Sequence, residues 1–324
     1  MILVTGGAGF IGSNLVAALV ARGQRVAVAD WLGTEGKWRN LGKHPPETVL
    51  APTALDDWLA RGPDLGAVVH LGAVSETTAA DGDLVWQTNV ELSWRLWQWC
   101  AAAAVPLVYA SSAATYGAGG QGFDDAPARL ASLRPLNLYG WSKHALDLRV
   151  AEALVRCEAA PPRWAGLKFF NVYGPNEYHK GPMISVVRKK FEERRAGQPA
   201  RLFASDQPGL PDGHQARDFI WVGDVVEAIL WLLDGDAPPG LYNLGTGRAR
   251  TYLDLAHAVC DAMGVERRVE FVPMPERLRG QYQSFTEARM ERFRAAGYPG
   301  RFTPLEDGVR RYVQDYLAAP DQYA

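Results

Sequence analysis

Two kinds of hydrophobic pattern alternate along the chain. Short runs rich in Val, Leu and Ile predict strands that are buried on both faces, at residues 1–5, 25–30, 65–71, 106–110, 167–170 and 240–245. Longer segments in which apolar residues recur every three or four positions predict helices at residues 13–22, 83–104, 251–263, 286–296 and 305–317. Strands that alternate with helices favour an α/β fold built on a parallel sheet.

A glycine-rich turn separates the first predicted strand from the first predicted helix. Its glycines recur at every third position, as Gly6, Gly9 and Gly12, and Asp30 ends the second strand. Glycine lets the main chain approach a pyrophosphate held at the helix N-terminus, and the acid can accept hydrogen bonds from a ribose. This unit therefore predicts a Rossmann doubly wound parallel sheet that binds a dinucleotide.

The residues after the second strand do not determine whether the cofactor carries a 2′-phosphate. Asp30 can accept hydrogen bonds from ribose hydroxyls, which favours NAD. Lys37 and Arg39 follow closely and could bind a 2′-phosphate, which favours NADP, and Trp31 could stack on an adenine ring. The residues alone do not choose between the two cofactors.

Tyr139 and Lys143 carry the candidate chemistry. They are four residues apart, so on a helix their side chains share one face. An ammonium group next to a phenol favours the phenolate and lowers the phenol's pKa, which predicts a general base that can take a proton from an alcohol. Ser112 follows the predicted strand 106–110, at the sheet edge where ligands bind, and can donate to a substrate oxygen beside the tyrosine.

Composition narrows the possible functions. The 324-residue chain has a net charge of −2 and no block of like charges, which disfavours a nucleic-acid or membrane surface. Three widely separated cysteines favour a reducing cytosol and predict neither disulfides nor a metal site. No apolar run reaches the length of a membrane span, and the N-terminus shows no signal peptide, so we expect a cytoplasmic protein.

Composition shifts after residue 170, which predicts a second, smaller domain. We expect residues 1–170, about 218–246 and about 284–324 to form the Rossmann domain. A discontinuous C-terminal α/β domain, built from about 171–217 and 247–283, would bind the substrate.

Four motifs together resemble the extended short-chain dehydrogenase/reductase family: TGGAGFIG at 5–12, YASSAATYG at 109–117, YGWSK at 139–143 and RDFIWVGDV at 217–225. Within it, four further stretches are similar to the nucleotide-sugar epimerases that act at C6 of ADP-heptose. These are LGAVSETT at 71–78, FFNVYGPNEYHKG at 169–181, NLGTGRA at 243–249 and RGQYQSFT at 279–286.

The resemblance implies a redox cycle with no net redox, which supplies heptose for the lipopolysaccharide core. It assigns Tyr139 and Lys180 as the two acid/base groups, Ser112 to hold the reacting oxygen, and Lys143 to anchor the nicotinamide ribose. It also implies a homo-oligomer and NADP in preference to NAD, because Lys37 stands where the family has a basic residue for the 2′-phosphate.

Further site residues are expected from the same resemblance. The expected cofactor contacts are Phe10, Ile11, Asp30, Trp31, Lys37, Leu71, Gly72, Ala73, Val74, Ser75, Asn89 and Lys143. Asn89 could instead bind the main chain of a neighbouring strand. The expected substrate contacts are Ser112, Asn171, Lys180, Lys189, Phe203, Ser205, Arg217 and Tyr282. Lys189 stands where the family has a histidine.

Two other functions compete with this interpretation. A nucleotide-sugar 4,6-dehydratase needs an acid and a base beside the serine, but Ala113, Ala114 and Thr115 follow Ser112. A 4-epimerase has no such requirement and stays possible. A non-catalytic dinucleotide-binding protein is also possible, because a fold alone does not establish a reaction.

Overall fold

The computed structural model describes residues 1–276 and 283–324 of the chain. The strands are β1 (Ile2–Thr5), β2 (Val26–Ala29), β3 (Thr48–Leu50), β4 (Ala67–His70), β5 (Leu107–Ser112), β6 (Trp164–Phe169), β7 (Asn171–Tyr173), β8 (Ala200–Phe203), β9 (Ala216–Arg217), β10 (Phe219–Trp221), β11 (Gly240–Leu244), β12 (Arg250–Thr251) and β13 (Val269–Val272). The helices are α1 (Phe10–Ala21), α2 (Leu55–Ala60), α3 (Gly82–Trp86), α4 (Leu92–Ala102), α5 (Leu138–Val155), α6 (Val186–Arg195), α7 (Val222–Asp234), α8 (Tyr252–Met263), α9 (Glu291–Ala295) and α10 (Leu305–Arg311).

Seven of these strands form one parallel sheet in the order β11-β6-β5-β4-β1-β2-β3. The chain begins in β1, runs outward through β2 and β3, and then returns to β4 on the other side of β1. This reversal opens a crevice at the carboxyl ends of β1 and β4, which is where ligands bind in such sheets. The predicted α/β doubly wound fold is confirmed.

The sheet is buried on both faces because helices cover each side. Leu3, Val4, Val68 and Val69, on the two central strands, have no exposed surface. Continuous apolar runs, rather than alternating ones, are what such a position requires. These strands form the main hydrophobic core together with residues of α1, α4, α5 and α7.

A second hydrophobic cluster lies beyond the carboxyl ends of the strands. Val187 of α6, Leu255 of α8 and Val309 of α10 are among its fully buried members. Short strand pairs accompany it: β7 with β10 and β8 with β13 are parallel, and β9 with β12 is antiparallel. Phe10 at the start of α1 also packs into this cluster, which brings it to the edge of the crevice.

Three predicted helices differ from the structure. In the helix predicted at 305–317, α10 ends at Arg311 and a π-helical turn follows at Tyr312–Leu317. The helix predicted at 83–104 is divided into α3, a π-helical turn at Gln87–Glu91 and α4. The helix predicted at 286–296 begins only at Glu291. The amide of Thr286 donates to the carbonyl of Ala216, and that of Ala288 donates to the Asp218 carboxylate. These amides are therefore held by neighbouring segments instead of entering a helix.

Candidate active site

The turn between β1 and α1 has the geometry of an anion-binding cradle. Gly6 has φ of +67°, and a Cβ atom there would lie 2.6 Å from the amide nitrogen of Gly72. A Cβ atom on Gly12 would lie 2.1 Å from the carbonyl oxygen of Gly6. Only glycine fits these two positions, so the main chain turns tightly and leaves the first amides of α1 open to a phosphate.

Asp30 and Lys37 meet at the end of β2. The Asp30 carboxylate accepts from the amide of Ala8 at 2.9 Å and from Lys37 Nζ at 2.7 Å. Both side chains line the same cavity as the glycine turn. Trp31 does not, because its side chain is 58% exposed and lies outside the cavity wall. A ribose bound at the end of β2 would therefore meet the Asp30 carboxylate, whose position is already fixed by its hydrogen bond from the glycine turn.

One cavity of about 670 Å³ joins the glycine turn to the predicted catalytic residues. It lies at the carboxyl ends of the central strands, as the sheet order requires. The predicted site residues that line it are Gly6, Gly9, Phe10, Ile11, Gly12, Asp30, Lys37, Leu71, Gly72, Ala73, Val74, Ser75, Ser112, Tyr139, Lys143, Asn171 and Lys180.

Tyr139 stands at the N-terminus of α5, which is held close to the turn after Ser112. Asn137 caps this helix by accepting from the amide of Gly140 at 2.8 Å. A Cβ atom on Gly140 would lie 2.7 Å from the carbonyl oxygen of Ala114, so glycine permits the close approach. Burial raises the pKa of Tyr139, and its hydrogen bond with Ser112 lowers it.

The expected effect of Lys143 on Tyr139 was wrong for this structure. We expected the ammonium group to lower the pKa of the phenol, but removal from water dominates and raises that pKa. Ser112 is the group that opposes this rise, through its hydrogen bond to the phenol. Sequence spacing showed that the two side chains share a helix face, but it did not show how much water surrounds them.

Lys143 is a buried cation without a hydrogen-bond partner among the described residues. Its side chain is 1% exposed, yet no acceptor in residues 1–276 or 283–324 binds its Nζ atom. Burial lowers its pKa to about 8, although the Asp147 carboxylate acts in the opposite direction. Since buried donors are normally satisfied, this atom fits a ligand hydroxyl such as that of a ribose.

A buried ion pair lies directly behind these residues. Lys168 of β6 and Asp147 of α5 are both fully buried, with Nζ and Oδ2 2.6 Å apart. The carboxylate also accepts from Ser111 Oγ at 2.7 Å, and Lys168 donates to Thr115 Oγ1 at 2.9 Å. Thr115 in turn donates to the carbonyl oxygen of Ser112 at 2.8 Å. The pair thus ties α5 and the Ser112 turn to the sheet.

Lys180 reaches the cavity from the loop that follows β7. Its Nζ atom lies 5.4 Å from the centroid of the Phe10 ring. Burial lowers the pKa of Lys180, while the nearby Glu177 carboxylate acts in the opposite direction. Glu177 is fully buried and accepts from Ser185 Oγ at 2.6 Å and Tyr312 OH at 2.7 Å, which fixes this loop. Lys180 and Tyr139 therefore line one cavity from different segments.

These features are shared with a known family. A family model described as "NAD dependent epimerase/dehydratase family" matches residues 2–245. The chain belongs to the NAD-dependent epimerase/dehydratase family.

Full-length relatives within this epimerase/dehydratase family carry one name. A protein of Nitratidesulfovibrio vulgaris (strain DP4), 46% identical over 327 residues, is named ADP-L-glycero-D-manno-heptose-6-epimerase, and the match covers 100% of both chains. A protein of Fusobacterium nucleatum with the same name is 41% identical over 335 residues and is likewise matched over 100% of both chains.

Solved structures of epimerases have the same fold. The Helicobacter pylori ADP-L-glycero-D-manno-heptose-6-epimerase superposes with a TM-score of 0.81 at 26% identity, covering 98% of this chain and 96% of that one. The Thermus thermophilus UDP-glucose 4-epimerase complex with NAD gives a TM-score of 0.76 at 29% identity, covering 98% and 99%.

The cavity fits the pyridine nucleotide that the epimerase/dehydratase family uses. The glycine turn and the open amides of α1 suit its diphosphate. Asp30 can accept from the adenosine ribose, and the unpaired Nζ of Lys143 can donate to a second ribose. No group of three His, Cys, Asp or Glu side chains in the described part of the chain could hold a metal ion.

Several predicted contacts lie away from this cavity. Asn89 is fully buried and bonds both main-chain groups of Val74, at 2.8 and 2.9 Å, so it shapes the cofactor loop instead of lining the cavity. Ser205 bonds within its own loop, and Arg217 donates to the carbonyl oxygens of Ala216 and Gln283. Three other predicted residues are also absent from the cavity wall: Trp31, Lys189 and Phe203. Tyr282 lies outside the described residues.

The structure adds cavity residues that were not among the predicted site residues, although His179 belongs to the stretch FFNVYGPNEYHKG that carried the resemblance. His179, Ile184 and Ser185 line the wall beside Lys180. Their segment immediately follows the NVYGP turn. The position of this turn at the carboxyl end of a strand was the sequence signal that could have predicted these residues as part of the site.

No helix among the described residues combines the length and apolar character that a membrane span needs.

Proposed function

We propose that this protein interconverts ADP-D-glycero-D-manno-heptose and ADP-L-glycero-D-manno-heptose at C6. The observation that carries the proposal is the identity of 46% over the whole chain to a relative with this name. The cavity supports it, because Ser112, Tyr139, Lys143 and Lys180 line one space at the carboxyl edge of the sheet.

An epimerase that works by transient oxidation needs proton transfer on two sides of one carbon. A pyridine nucleotide held in this cavity would supply the hydride chemistry, by which C6 would be oxidised transiently and reduced again on its opposite face. Tyr139 exchanges the hydroxyl proton in one orientation of the heptose, and Lys180 exchanges it in the other. Without substrate, Ser112 lowers the pKa of Tyr139 through its hydrogen bond. With substrate bound, the single hydroxyl hydrogen of Ser112 would be donated to the reacting oxygen instead.

Burial shifts the pKa of Lys180 in the direction that favours such a role. An ordinary lysine is almost entirely protonated at neutral pH and is a poor base. Burial lowers the pKa of Lys180, so a larger fraction of the amine is available to accept a proton. Lys143 remains the group that donates to the cofactor ribose, close to Tyr139 on the same helix face.

We also propose a division of the chain between the two ligands. The cofactor would occupy the Rossmann part, formed by residues 1–170, about 218–246 and about 284–324. The sugar would extend from Asn171 and Lys180, with its nucleotide end toward Lys189, Phe203, Ser205, Arg217 and Tyr282, in a unit formed by about 171–217 and 247–283.

The reaction is tested by comparing substrates with the purified protein. Proton NMR should show ADP-heptose converted between its two C6 epimers, with UDP-galactose and UDP-glucose unchanged under the same conditions. Selectivity is expected because a 4-epimerase works at a ring carbon, whereas C6 of a heptose lies outside the ring. Turnover of a UDP-hexose with ADP-heptose unchanged would refute the assignment.

We propose NADP as the cofactor, with Lys37 as the residue that contacts its 2′-phosphate. Mass spectrometry of the supernatant from heat-denatured protein should find NADP. Lys37→Ala should lower affinity for NADP by roughly tenfold with little change for NAD, since one charged hydrogen bond is lost. Arg39→Ala tests the other candidate for the 2′-phosphate and should leave the affinity for NADP nearly unchanged, because Arg39 does not line the cavity. Release of NAD alone would overturn the role of Lys37.

A further inference from the structure

His179 lines the cavity but has no part in the proposed proton transfers. It stands one residue before Lys180, in the loop that Glu177 and Asn176 fix to the rest of the chain. The imidazole is partly buried, and no other histidine of the described residues lines the cavity. Its place therefore calls for a separate explanation.

Asn40 holds the imidazole next to the glycine turn. Its Nδ2 donates to the carbonyl oxygens of Ala8 at 2.9 Å and Asn176 at 3.0 Å, and lies 3.3 Å from His179 Nδ1. Carbonyl oxygens can only accept, so the amide orientation of Asn40 is fixed. The two hydrogens of Nδ2 are taken by these carbonyls, so the 3.3 Å contact with Nδ1 is not a hydrogen bond from Asn40. The Asn176 carbonyl also accepts from the ring. Nδ1, on that side, then carries the hydrogen of the neutral ring, and Nε2 is left to take up a proton and to meet a molecule in the cavity.

The surroundings of the ring are positively charged. The pKa of His179 is lowered to about 4, first by burial and then by Lys37 and Lys180, while the hydrogen bond to the Asn176 carbonyl acts in the opposite direction. The carboxylate at this corner, Asp30, is already bonded to Lys37 at 2.7 Å. The carboxylate of Glu177 is bonded to Ser185 and Tyr312.

An anion would be stabilised at this position by groups from three segments. It would meet Lys37 from the segment after β2, Lys180 and His179 from the loop after β7, and the amides at the start of α1. A dinucleotide brings phosphate groups to this turn, so phosphate is the chemistry that fits.

We propose that His179 donates from Nε2 to a phosphoryl oxygen of the bound dinucleotide and takes up a proton from solvent as that phosphate binds. The inference rests on the proposed cofactor, but not on the proposed sugar or on turnover. Two phosphates could be the acceptor, the 2′-phosphate of NADP or the diphosphate that NADP and NAD share.

The sign of the pH effect follows from the charges. Without ligand, the pKa of His179 is about 4, so the ring is neutral at neutral pH. A bound phosphate offsets the repulsion from Lys37 and Lys180 and raises that pKa. Between the two values the complex binds one more proton than the free protein, so affinity for the dinucleotide increases as pH falls through this window.

Calorimetry on protein stripped of its cofactor tests the proposal. Wild type, His179→Leu and His179→Gln would be titrated with NADP and with NAD, in two buffers of different ionisation enthalpy, at about pH 6 and about pH 8. His257→Leu is the control, because His257 lies on α8 outside the cavity wall. We expect proton uptake in wild type and in the control.

His179→Leu should bind the dinucleotide at least about tenfold more weakly and take up no proton, since it has no donor. His179→Gln places an N–H near the position of Nε2, so it should recover most of the affinity without proton uptake. A loss confined to NADP assigns the 2′-phosphate, and an equal loss for NAD assigns the diphosphate.

Unchanged affinity and unchanged proton uptake in His179→Leu would overturn the proposal. If His179→Leu does not fold, His179→Gln provides the test. Proton uptake as large as that of the wild type in His179→Gln, which has no imidazole, would also overturn the proposal. A protein that behaves as expected here but leaves ADP-heptose unchanged would refute the proposed reaction and not the role of His179.

Discussion

Replacing Tyr139 with Phe and Lys180 with Ala in one chain is expected to abolish epimerisation in a protein that remains folded. Each side chain serves proton transfer in one orientation of the heptose, and a single general acid or base contributes roughly 10²–10⁴ in rate. Phe keeps the ring of Tyr139 in its packing, and within residues 1–276 and 283–324 Lys180 forms no ion pair whose loss would destabilise the loop. Conversion of ADP-heptose would be measured by proton NMR, and folding by thermal unfolding.

The single variants provide the control for this result. Because the two bases act at different orientations of the substrate, each single substitution alone should already slow interconversion strongly. Trp141→Phe is a matched aromatic change on the exposed side of α5, where the side chain is 47% exposed, and should leave turnover within a fewfold of wild type. A folded double variant that retains full turnover would refute the assignment of two bases.

The largest expected effect on stability is at the ion pair behind the site. Asp147→Ala leaves the Lys168 cation fully buried with no carboxylate, and Lys168→Met leaves the Asp147 carboxylate in the same condition. Removing one partner of a buried pair costs about 3–5 kcal/mol of unfolding free energy. Urea unfolding of each variant, without ligand, measures this quantity.

The double variant Asp147→Asn with Lys168→Met distinguishes the effect of an unpaired buried charge from the effect of changed side-chain packing. Removing both charges is often nearly neutral, since neither partner is left uncompensated, and the asparagine oxygen can still accept from Ser111. We expect its unfolding free energy to lie well above that of either single variant. If the unfolding free energy of each single variant lay within about 1 kcal/mol of the wild-type value, water or other groups would have to solvate the remaining charge. That result would contradict the expected destabilisation.

Much of the cofactor site could be predicted from local sequence. The glycine spacing, the acid that ends the second strand and the helix register of Tyr139 and Lys143 each depend on a short segment, and local geometry determines where their side chains go. The order of the central strands then brings these segments to one edge of the sheet. The predicted fold and the joint lining of one cavity were therefore accessible before any coordinates.

The remaining features depend on contacts between distant segments. Asn89 lies in a helix, and only the π-helical turn and the main chain of Val74 show that it supports the cofactor loop. The pKa of Tyr139 depends on exclusion of water, which spacing does not encode. The Asp147–Lys168 pair joins residues on different elements, and neither residue belongs to a recognisable motif.

The most direct measurement follows a deuterium atom placed at C6 of ADP-heptose. We expect the epimerised product to retain deuterium at C6, because Tyr139 and Lys180 move only the hydroxyl proton, and the hydrogen removed from carbon leaves as a hydride that does not exchange with water before it returns. Exchange of that deuterium with water would mean that C6 is deprotonated to solvent, which would contradict epimerisation by transient oxidation in this cavity.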